Sequence, residues 1–174
     1  RWNAHHTRRC RARAAEQRAA FDTLANRARL FSAALQGDAA SVLDLTERGA
    51  NANFTEPLMG ATPLFAAAQE GHYAVVRALL DAGADKDLAD NDGATPLSIA
   101  AKTGHDAIVR ALPDAGAEKD LAKNDGVTPL FIAAWKGHNA IVRALLDAGA
   151  DKDLAKNDGA TPLFIAAQKG HGAI

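Results

Sequence analysis

Apolar and polar positions alternate in blocks along most of the chain. Between positions 125 and 157, one apolar block begins at Pro129 and stops before Gly137, and a second stops before Gly149. The second block has its apolar residues at helical spacing. The polar residues that follow include Asn-Asp-Gly at 157–159, which is a strong turn signal. The pattern predicts a helix, a tight turn, a second helix and an extended, hairpin-like loop.

The residues at the ends of these blocks support the same boundaries. The hydroxyl of Thr128 can accept from the free amides of a first helical turn, and Pro129 suits the first helical position because its missing N–H leaves no bond unmade there. Gly137 can adopt the positive φ that the residue after a helix often needs. We therefore expect helices over residues 129–136 and about 139–148.

This unit recurs with a period of 33 residues. Thr-Pro-Leu opens at Thr62, Thr95, Thr128 and Thr161. Only seven of the 33 positions differ between residues 92–124 and 125–157. Two short helices cannot bury an apolar face alone, so the copies must stack against one another. The small side chains of Ala133 and Ala134 would let neighbouring helices approach closely.

The repeated pattern of Asp-Gly-x-Thr-Pro-Leu, Ala-Ala, Gly-His, Leu-Leu and Gly-Ala-Asp resembles the ankyrin repeat. The resemblance covers residues 30–174 and implies an all-α, ankyrin-repeat solenoid of stacked helix-turn-helix units with β-hairpin-like loops. The expected repeats are 30–59, 60–91, 92–124, 125–157 and a truncated 158–174. The first of them lacks Thr-Pro-Leu, as an atypical capping unit would. A basic, Arg-rich helical lead-in at residues 1–29 is expected to precede the domain.

Three local features predict departures from a regular stack. A helix is expected over residues 14–36, with a break near Asn26. Pro113 stands in the last turn of a second helix, where it removes a backbone hydrogen bond, and predicts a short or bent helix. The family usually has His after Thr-Pro-Leu. This chain has Phe65, Ser98, Phe131 and Phe164. Buried phenylalanine there would replace hydrogen bonding by packing, and the copy with Ser98 would be the weakest.

Positions that differ between nearly identical copies are the candidate partner-binding residues. In the family, the ends of the first helices and the hairpin tips face a concave binding groove. The candidates are Trp135, Lys136, Lys102, Thr103, Gln69, Glu70, Gln168, Tyr73, Phe54 and Met59. By motif position, Trp135 would project onto the groove, flanked by Lys102 and Gln168, and tryptophan is enriched among binding hot spots. The alternative is neutral drift after duplication, with Trp135 packed against a neighbour.

The loop over residues 51–60 is one residue longer than its counterparts and carries apolar residues in place of charges. Phe54 and Met59 in this loop have two interpretations. Either the loop folds back onto the first helix pair, or its tip protrudes and presents an apolar contact patch.

No set of residues in the chain predicts catalysis or a metal or cofactor site. Equivalent residues of stacked helices lie about 8–10 Å apart, too far for one zinc ion, so the equally spaced histidines are expected to be structural turn residues. They are His72, His105, His138 and His171. The acidic loops, such as Asp85 to Asp92, lack the spacing of a calcium loop and predict solvated turns. Glycine-rich phosphate loops are also absent from the sequence.

Charge divides the chain unequally. Residues 1–30 carry eight arginines and two acidic residues, a net charge of +6, while residues 31–174 carry twelve basic and nineteen acidic side chains, a net charge of −7. The arginines at 8, 9, 11 and 13 predict a solvated lead-in, with a nucleic-acid or acidic-lipid contact as the weaker alternative. The single cysteine, Cys10, fits a reducing compartment, and no apolar run is long enough to span a membrane.

These features predict an intracellular, non-catalytic scaffold or adaptor that binds a protein partner through its groove and hairpin tips. We expect it to be a monomeric module that needs no cofactor. A first alternative is that the repeats are the regulatory or targeting segment of a larger enzyme or channel. The chain starts with Arg1 and stops at Ile174, early in a second helix, which agrees with a fragment of a longer protein. The second alternative is nucleic-acid binding through the basic N-terminal arm.

Overall fold

The computed structural model describes residues 21–174. The basic lead-in, its arginine cluster and Cys10 lie largely outside the described residues. Within them the chain forms nine α-helices, and no residue is assigned to a β-strand. The helices are α1 Leu24–Gln36, α2 Ala39–Arg48, α3 Pro63–Glu70, α4 Tyr73–Asp81, α5 Pro96–Thr103, α6 Asp106–Asp114, α7 Pro129–Lys136, α8 Asn139–Asp147 and α9 Pro162–Gln168.

The helices form two layers, with the first helix of each repeat in one layer and the second helix in the other. Each first helix packs on the first helix of the next repeat, and the second helices stack in the same way. Equivalent leucines at the start of the first helices are almost completely buried between the layers: Leu64, Leu97 and Leu130. The alanine pair that follows each of them is also buried, which lets the first helices lie close together. The predicted all-α solenoid is confirmed.

The predicted helix ends are confirmed in detail. The Thr128 hydroxyl accepts a hydrogen bond from the backbone N–H of Phe131 at 3.1 Å, and Pro129 occupies the first helical position. Gly137 ends α7 with a φ of 75°. A side chain here would be strained by this φ, and a Cβ atom would also lie 2.7 Å from Cε1 of His171. Glycine is therefore required at this turn both for its backbone conformation and for the close approach of the next repeat.

The equally spaced histidines connect successive repeats. Nε2 of each lies within hydrogen-bond distance of a backbone carbonyl oxygen near the end of the preceding first helix. The pairs are His72 with Leu35, His105 with Gln69, His138 with Lys102 and His171 with Trp135. These bonds satisfy carbonyls that a helix leaves unpaired at its C-terminal end. The expected structural role is confirmed.

Asparagine side chains form a second set of bonds between hairpins. Nδ2 of Asn124 donates to the carbonyl oxygen of Asn91 at 3.1 Å, and Nδ2 of Asn157 donates to that of Asn124 at 3.2 Å. The first link of this ladder runs from Asn91 to the carbonyl oxygen of Leu58. The hairpin-like loops are therefore hydrogen-bonded to one another, although the described residues form no β-sheet.

Acidic loop residues form a third set, which the solvated-turn interpretation missed. Oδ1 of Asp87 accepts from the backbone N–H of Glu118 in the next repeat at 2.9 Å, and Oδ1 of Asp120 accepts from that of Asp151 at 3.0 Å. In the first repeat, Asn53 occupies this position and accepts from Asp85. These carboxylates therefore hold the next repeat in register.

We expect Asp87→Ala to lower the free energy of unfolding by about 1 kcal/mol, because the Glu118 amide loses its acceptor. Asp87→Asn should cost less, since Asn53 makes the same bond through an amide oxygen. Asp153 stands at the equivalent position but accepts no amide from another repeat within residues 21–174. Equal losses in Asp87→Ala and Asp153→Ala, measured by urea denaturation, would mean that this bond does not contribute.

The chain has its helix break at residues 22–23, just before α1, rather than at Asn26 as predicted. Thr23 is the N-cap, three residues earlier than expected, and its hydroxyl accepts from the amide of Asn26. Asp22, just before it, is paired with the Arg27 guanidinium at 2.6 Å and accepts from the amide of Asn51. The bond from Arg27 holds the pKa of the Asp22 carboxyl below its ordinary value, with help from the Asn51 amide and against the effect of burial.

Asp22 therefore makes the fold sensitive to acid. A pKa that is lowered in the folded state contributes stability that is present above the unfolded value, near 3.8, and is lost as the pH falls through the folded value. Asp22→Asn should destabilise the protein at neutral pH, and the difference from the wild type should shrink below pH ~3. Chemical denaturation at both pH values measures this. A difference that is independent of pH would show that charge at Asp22 does not matter.

Where the residue after Thr-Pro-Leu is a phenylalanine that lies between two repeats, its side chain is buried, as predicted. Phe65 and Phe131 are buried, and Ser98 is buried with its hydroxyl donating to the carbonyl oxygen of Thr95 at 2.9 Å. Phe164 is 56% exposed because none of the described helices packs beyond α9.

The shortening predicted at Pro113 is wrong. The helix that contains it, α6, has nine residues, as do α4 and α8. The proline lies one residue before the end, and the amide of Ala115 still bonds to carbonyl oxygens of the last turn.

Candidate partner-binding groove

The first helices and the hairpins together line a groove. Trp135, at the end of α7, stands at its centre and lines a hollow on each side. One hollow lies toward the fifth repeat and is also lined by Phe131, Phe164 and Gln168. The other lies toward the third repeat and includes Lys102. The structure therefore brings Trp135, Lys102 and Gln168 onto one surface.

Trp135 is 42% exposed, and its ring lies beneath two lysines. Nζ of Lys136 is 5.3 Å from the ring and Nζ of Lys169 is 6.0 Å from it, both within reach of a cation–π interaction. The backbone carbonyl oxygen of Trp135, not its ring, makes the bond to His171. The ring is thus positioned by the helix end while a large part of it remains open to solvent.

The groove carries charges of both signs, and they are not equally satisfied. Lys102, Lys123, Lys136 and Lys169 lie along it, and none has a carboxylate within 4.0 Å in the part of the chain that the structure describes. Three of the carboxylates accept hydrogen bonds within their own hairpin turns, while Asp92 accepts none among the described residues. Backbone amides bond to Asp90, Asp125 and Asp158. The groove therefore presents both ammonium groups and carboxylates to a ligand, and two of the lysines also contact the Trp135 ring.

Asp158 illustrates how a turn holds a carboxylate. The backbone amide of Ala160 donates to it and lowers its pKa below the ordinary value, and Lys156, at 3.0 Å, lowers it further. Its charge is thus partly balanced inside the hairpin.

Tyr73 does not lie in this groove. It begins α4 and lines a separate cavity between α4 and α6, on the second-helix layer, together with Arg77 and Arg110. Its side chain is 43% exposed, almost the same as that of Trp135. The two aromatic candidates therefore occupy different surfaces of the solenoid.

The remaining first-helix candidates make local bonds. Nε2 of Gln69 donates to Oε1 of Glu70 at 2.9 Å, at the end of α3. The Thr103 hydroxyl donates to the carbonyl oxygen of Ile99 in its own helix, although the residue as a whole is exposed.

The long loop combines both interpretations offered for it. Phe54 is half-buried and lies 6.0 Å beneath the Arg27 guanidinium, against the first repeat. Leu58 and Met59 at the tip are 85% and 70% exposed. The inner part of the loop folds back and the tip protrudes.

The hollow beside Ser98 was missed by sequence reasoning. The signal was available, since serine replaces the phenylalanine of the other repeats, but we interpreted it only as a weaker packing position.

The described residues contain neither a metal-binding cluster nor a membrane-spanning helix. Across residues 21–174, no three His, Cys, Asp or Glu side chains gather as a metal site would require. None of the helices in this range combines the length and apolar character needed to cross a membrane.

Comparison with known proteins identifies a matching family and two proteins that resemble part of this chain. The family described as ankyrin repeats (3 copies) matches residues 30–123 and 109–174. A glycerophosphocholine phosphodiesterase, GDE1, of Eremothecium gossypii is 49% identical over 49 residues, which are 28% of this chain and 4% of that protein. A 2-5A-dependent ribonuclease of Mus musculus is 45% identical over 56 residues, 32% of this chain and 8% of that protein. The chain thus spans only a small fraction of the length of these relatives.

Proposed function

Because the chain belongs to the ankyrin repeat family, we propose that it is a protein-interaction module that binds its partner in the groove around Trp135. The module acts as a scaffold or adaptor and has no catalytic step of its own. The observation that carries the proposal is the half-exposed Trp135 ring between two hollows, with lysine ammonium groups beside it that have no carboxylate partner.

A rigid groove suits this role. The His, Asn and Asp bonds between repeats fix the spacing of the first-helix ends, so the groove is formed before a partner arrives. Less conformational freedom then has to be lost on binding. A large aromatic ring in such a preformed site is typical of a residue that dominates binding energy.

We further propose that the chain is a segment of a larger, intracellular protein. The relatives are named as enzymes and match this chain over only a small part of their length, which supports a role as the regulatory or targeting segment of a larger protein. A reducing, intracellular compartment agrees with the single cysteine.

Nucleic-acid binding through residues 1–20 is the competing function, supported by their net positive charge.

A capture experiment from a lysate of the source organism separates these functions. The baits are the full chain, its Trp135→Ala variant and a form without residues 1–20, each used with and without nuclease. We expect a protein that is retained after nuclease treatment, retained by the shortened form and lost with Trp135→Ala. Capture that vanishes with nuclease, or with removal of residues 1–20, and is indifferent to Trp135 would assign binding to the basic arm.

A further inference from the structure

The hairpins carry the dipeptide Asp-Gly at three equivalent positions, each directly after an asparagine. The copies are Asp92-Gly93, Asp125-Gly126 and Asp158-Gly159. In any chain, the side-chain carboxyl of an aspartate can react with the backbone nitrogen of the next residue. That nitrogen is least hindered when the next residue is glycine, which has no Cβ atom. The three dipeptides therefore share one intrinsic reactivity, and the structure around each decides how they differ.

Two of the three carboxylates are held by the backbone of their own turn. Oδ1 of Asp125 accepts from the N–H of Val127 at 3.2 Å. Oδ1 of Asp158 accepts from the N–H of Ala160 at 3.1 Å, and its Oδ2 lies 3.0 Å from Nζ of Lys156. Each of these carboxylates has to release its bonds before its carbon can meet the glycine nitrogen.

The Asp92 carboxylate is not held in this way. The residue is exposed, and within residues 21–174 no group donates a hydrogen bond to its side chain. The amide that would hold it, that of Ala94, donates instead to Oδ1 of Asp90 at 2.8 Å. Both later hairpins have lysine at the position of Asp90, and lysine has no acceptor atom that could compete. Asp90 therefore leaves the Asp92 side chain free to turn.

The glycine amides do not distinguish the three sites. Each donates to the carbonyl oxygen three residues earlier, at 3.0 Å for Gly93, 2.9 Å for Gly126 and 2.8 Å for Gly159. In all three hairpins this bond breaks only when the turn opens locally. The bonding of the carboxylate is therefore the difference that sets Asp92 apart.

We propose that Asp92-Gly93 is a site of isoaspartate formation, a modification that needs no reagent except water. The Gly93 nitrogen attacks Cγ of the protonated Asp92 carboxyl. A C–N bond forms, the C–OH bond breaks, and the hydroxyl leaves as water with the proton of the nitrogen. Water then adds to the former main-chain carbonyl carbon of the succinimide ring and breaks its bond to nitrogen. The chain now runs through the side-chain carbon of residue 92, and the former main-chain carbonyl is a free carboxylate.

The product changes the junction between the second and third repeats. The main-chain carbonyl oxygen of Asp92 accepts from the N–H of Asn124, in the next hairpin, at 3.1 Å. In the isoaspartate form this oxygen belongs to the free carboxylate and the backbone is one carbon longer, so the bond is displaced. Asp92 also lines the hollow that contains Lys102 and Trp135, so the same reaction alters the surface of the groove. Hydrogen exchange of the Asn124 amide should be faster in the isolated isoaspartate form, and equal exchange would refute this effect.

Ageing of the purified full chain tests the site, because the other two dipeptides are internal controls. The protein is incubated at physiological temperature and pH, and isoaspartate is quantified at each position by peptide mapping with electron-transfer mass spectrometry. We expect it to form about fivefold faster at position 92 than at position 125, the ratio that corresponds to one hydrogen bond. No isoaspartate at position 92, or equal rates at 92 and 125, would overturn the proposal.

The same incubation in urea separates structure from sequence. Because the bonds of the turns are absent in the unfolded chain, the three rates should converge there. A preference for position 92 that persists unchanged in urea would mean that the hairpin does not cause it, and would also overturn the proposal.

A reciprocal exchange of residues tests the cause. Asp90→Lys removes the competing acceptor, so the Ala94 amide can bond to Asp92, and the rate at position 92 should fall about fivefold. Lys123→Asp introduces the competitor into the next hairpin and should raise the rate at position 125 by a similar factor, whether or not Asp90→Lys folds. Circular dichroism establishes that each variant is folded. An unchanged rate at the neighbouring Asp-Gly in either folded variant would refute the role assigned to this position.

Discussion

Replacing Leu130 by alanine is expected to lower the free energy of unfolding by about 2–5 kcal/mol. Leu130 is only 2% exposed and packs in the middle of the stack of first helices. Truncation removes buried methyl groups and leaves a cavity that closely packed helices cannot close. Because each repeat is stabilised mainly by its neighbours, a weakened fourth repeat also loosens its contacts with the third and fifth. Urea denaturation followed by circular dichroism measures the loss.

Leu163 provides a matched control within the same chain. It stands at the equivalent position one repeat later but is 68% exposed. Leu163→Ala should change the free energy of unfolding by less than about 0.5 kcal/mol, as is usual for a surface position. Similar losses in the two variants would contradict the layered packing described above.

Replacing Trp135 by alanine is expected to weaken partner binding by about 2 kcal/mol or more, roughly a 30-fold increase in Kd. The variant should remain folded because Trp135 is 42% exposed. The bond that Trp135 makes to His171 uses its backbone carbonyl oxygen, which alanine retains. Calorimetric titration with the captured partner measures the binding loss, and thermal unfolding of the free protein measures the stability.

Tyr73→Ala is the control for this loss. Tyr73 is aromatic and exposed to almost the same degree as Trp135, but it lines the cavity between α4 and α6. We expect Tyr73→Ala to leave the Kd of the partner unchanged. A large fall in the melting temperature of Trp135→Ala would instead make its ring part of the core.

The helices were predictable because each copy carries its own start and stop residues. Thr128, Pro129 and Gly137 act through atoms in the same helix, so their effects can be inferred from local sequence. The shortening predicted at Pro113 was wrong. The cost of a proline depends on its position in the helix, and this one lies one residue before the end.

The bonds between repeats could not be inferred in the same way. Asp87 and Asn124 appear in the sequence as polar loop residues, and only the rotation of one repeat on the next brings them to Glu118 and Asn91. The hollow beside Ser98 also depends on this stacking, since its walls come from three successive repeats. The sequence identified Trp135 as a difference between copies, but its separation from Tyr73 required the structure.

Photo-crosslinking tests the central claim, that the partner lies in the groove around Trp135, most directly. p-Benzoylphenylalanine is placed at Gln168, which lines the hollow beside Trp135, or at Tyr73, which lies on the second-helix layer. Both variants are then irradiated with the captured partner. The account predicts a covalent adduct from position 168 and none from position 73. An adduct from position 73 alone would place the partner on the other layer and contradict the account.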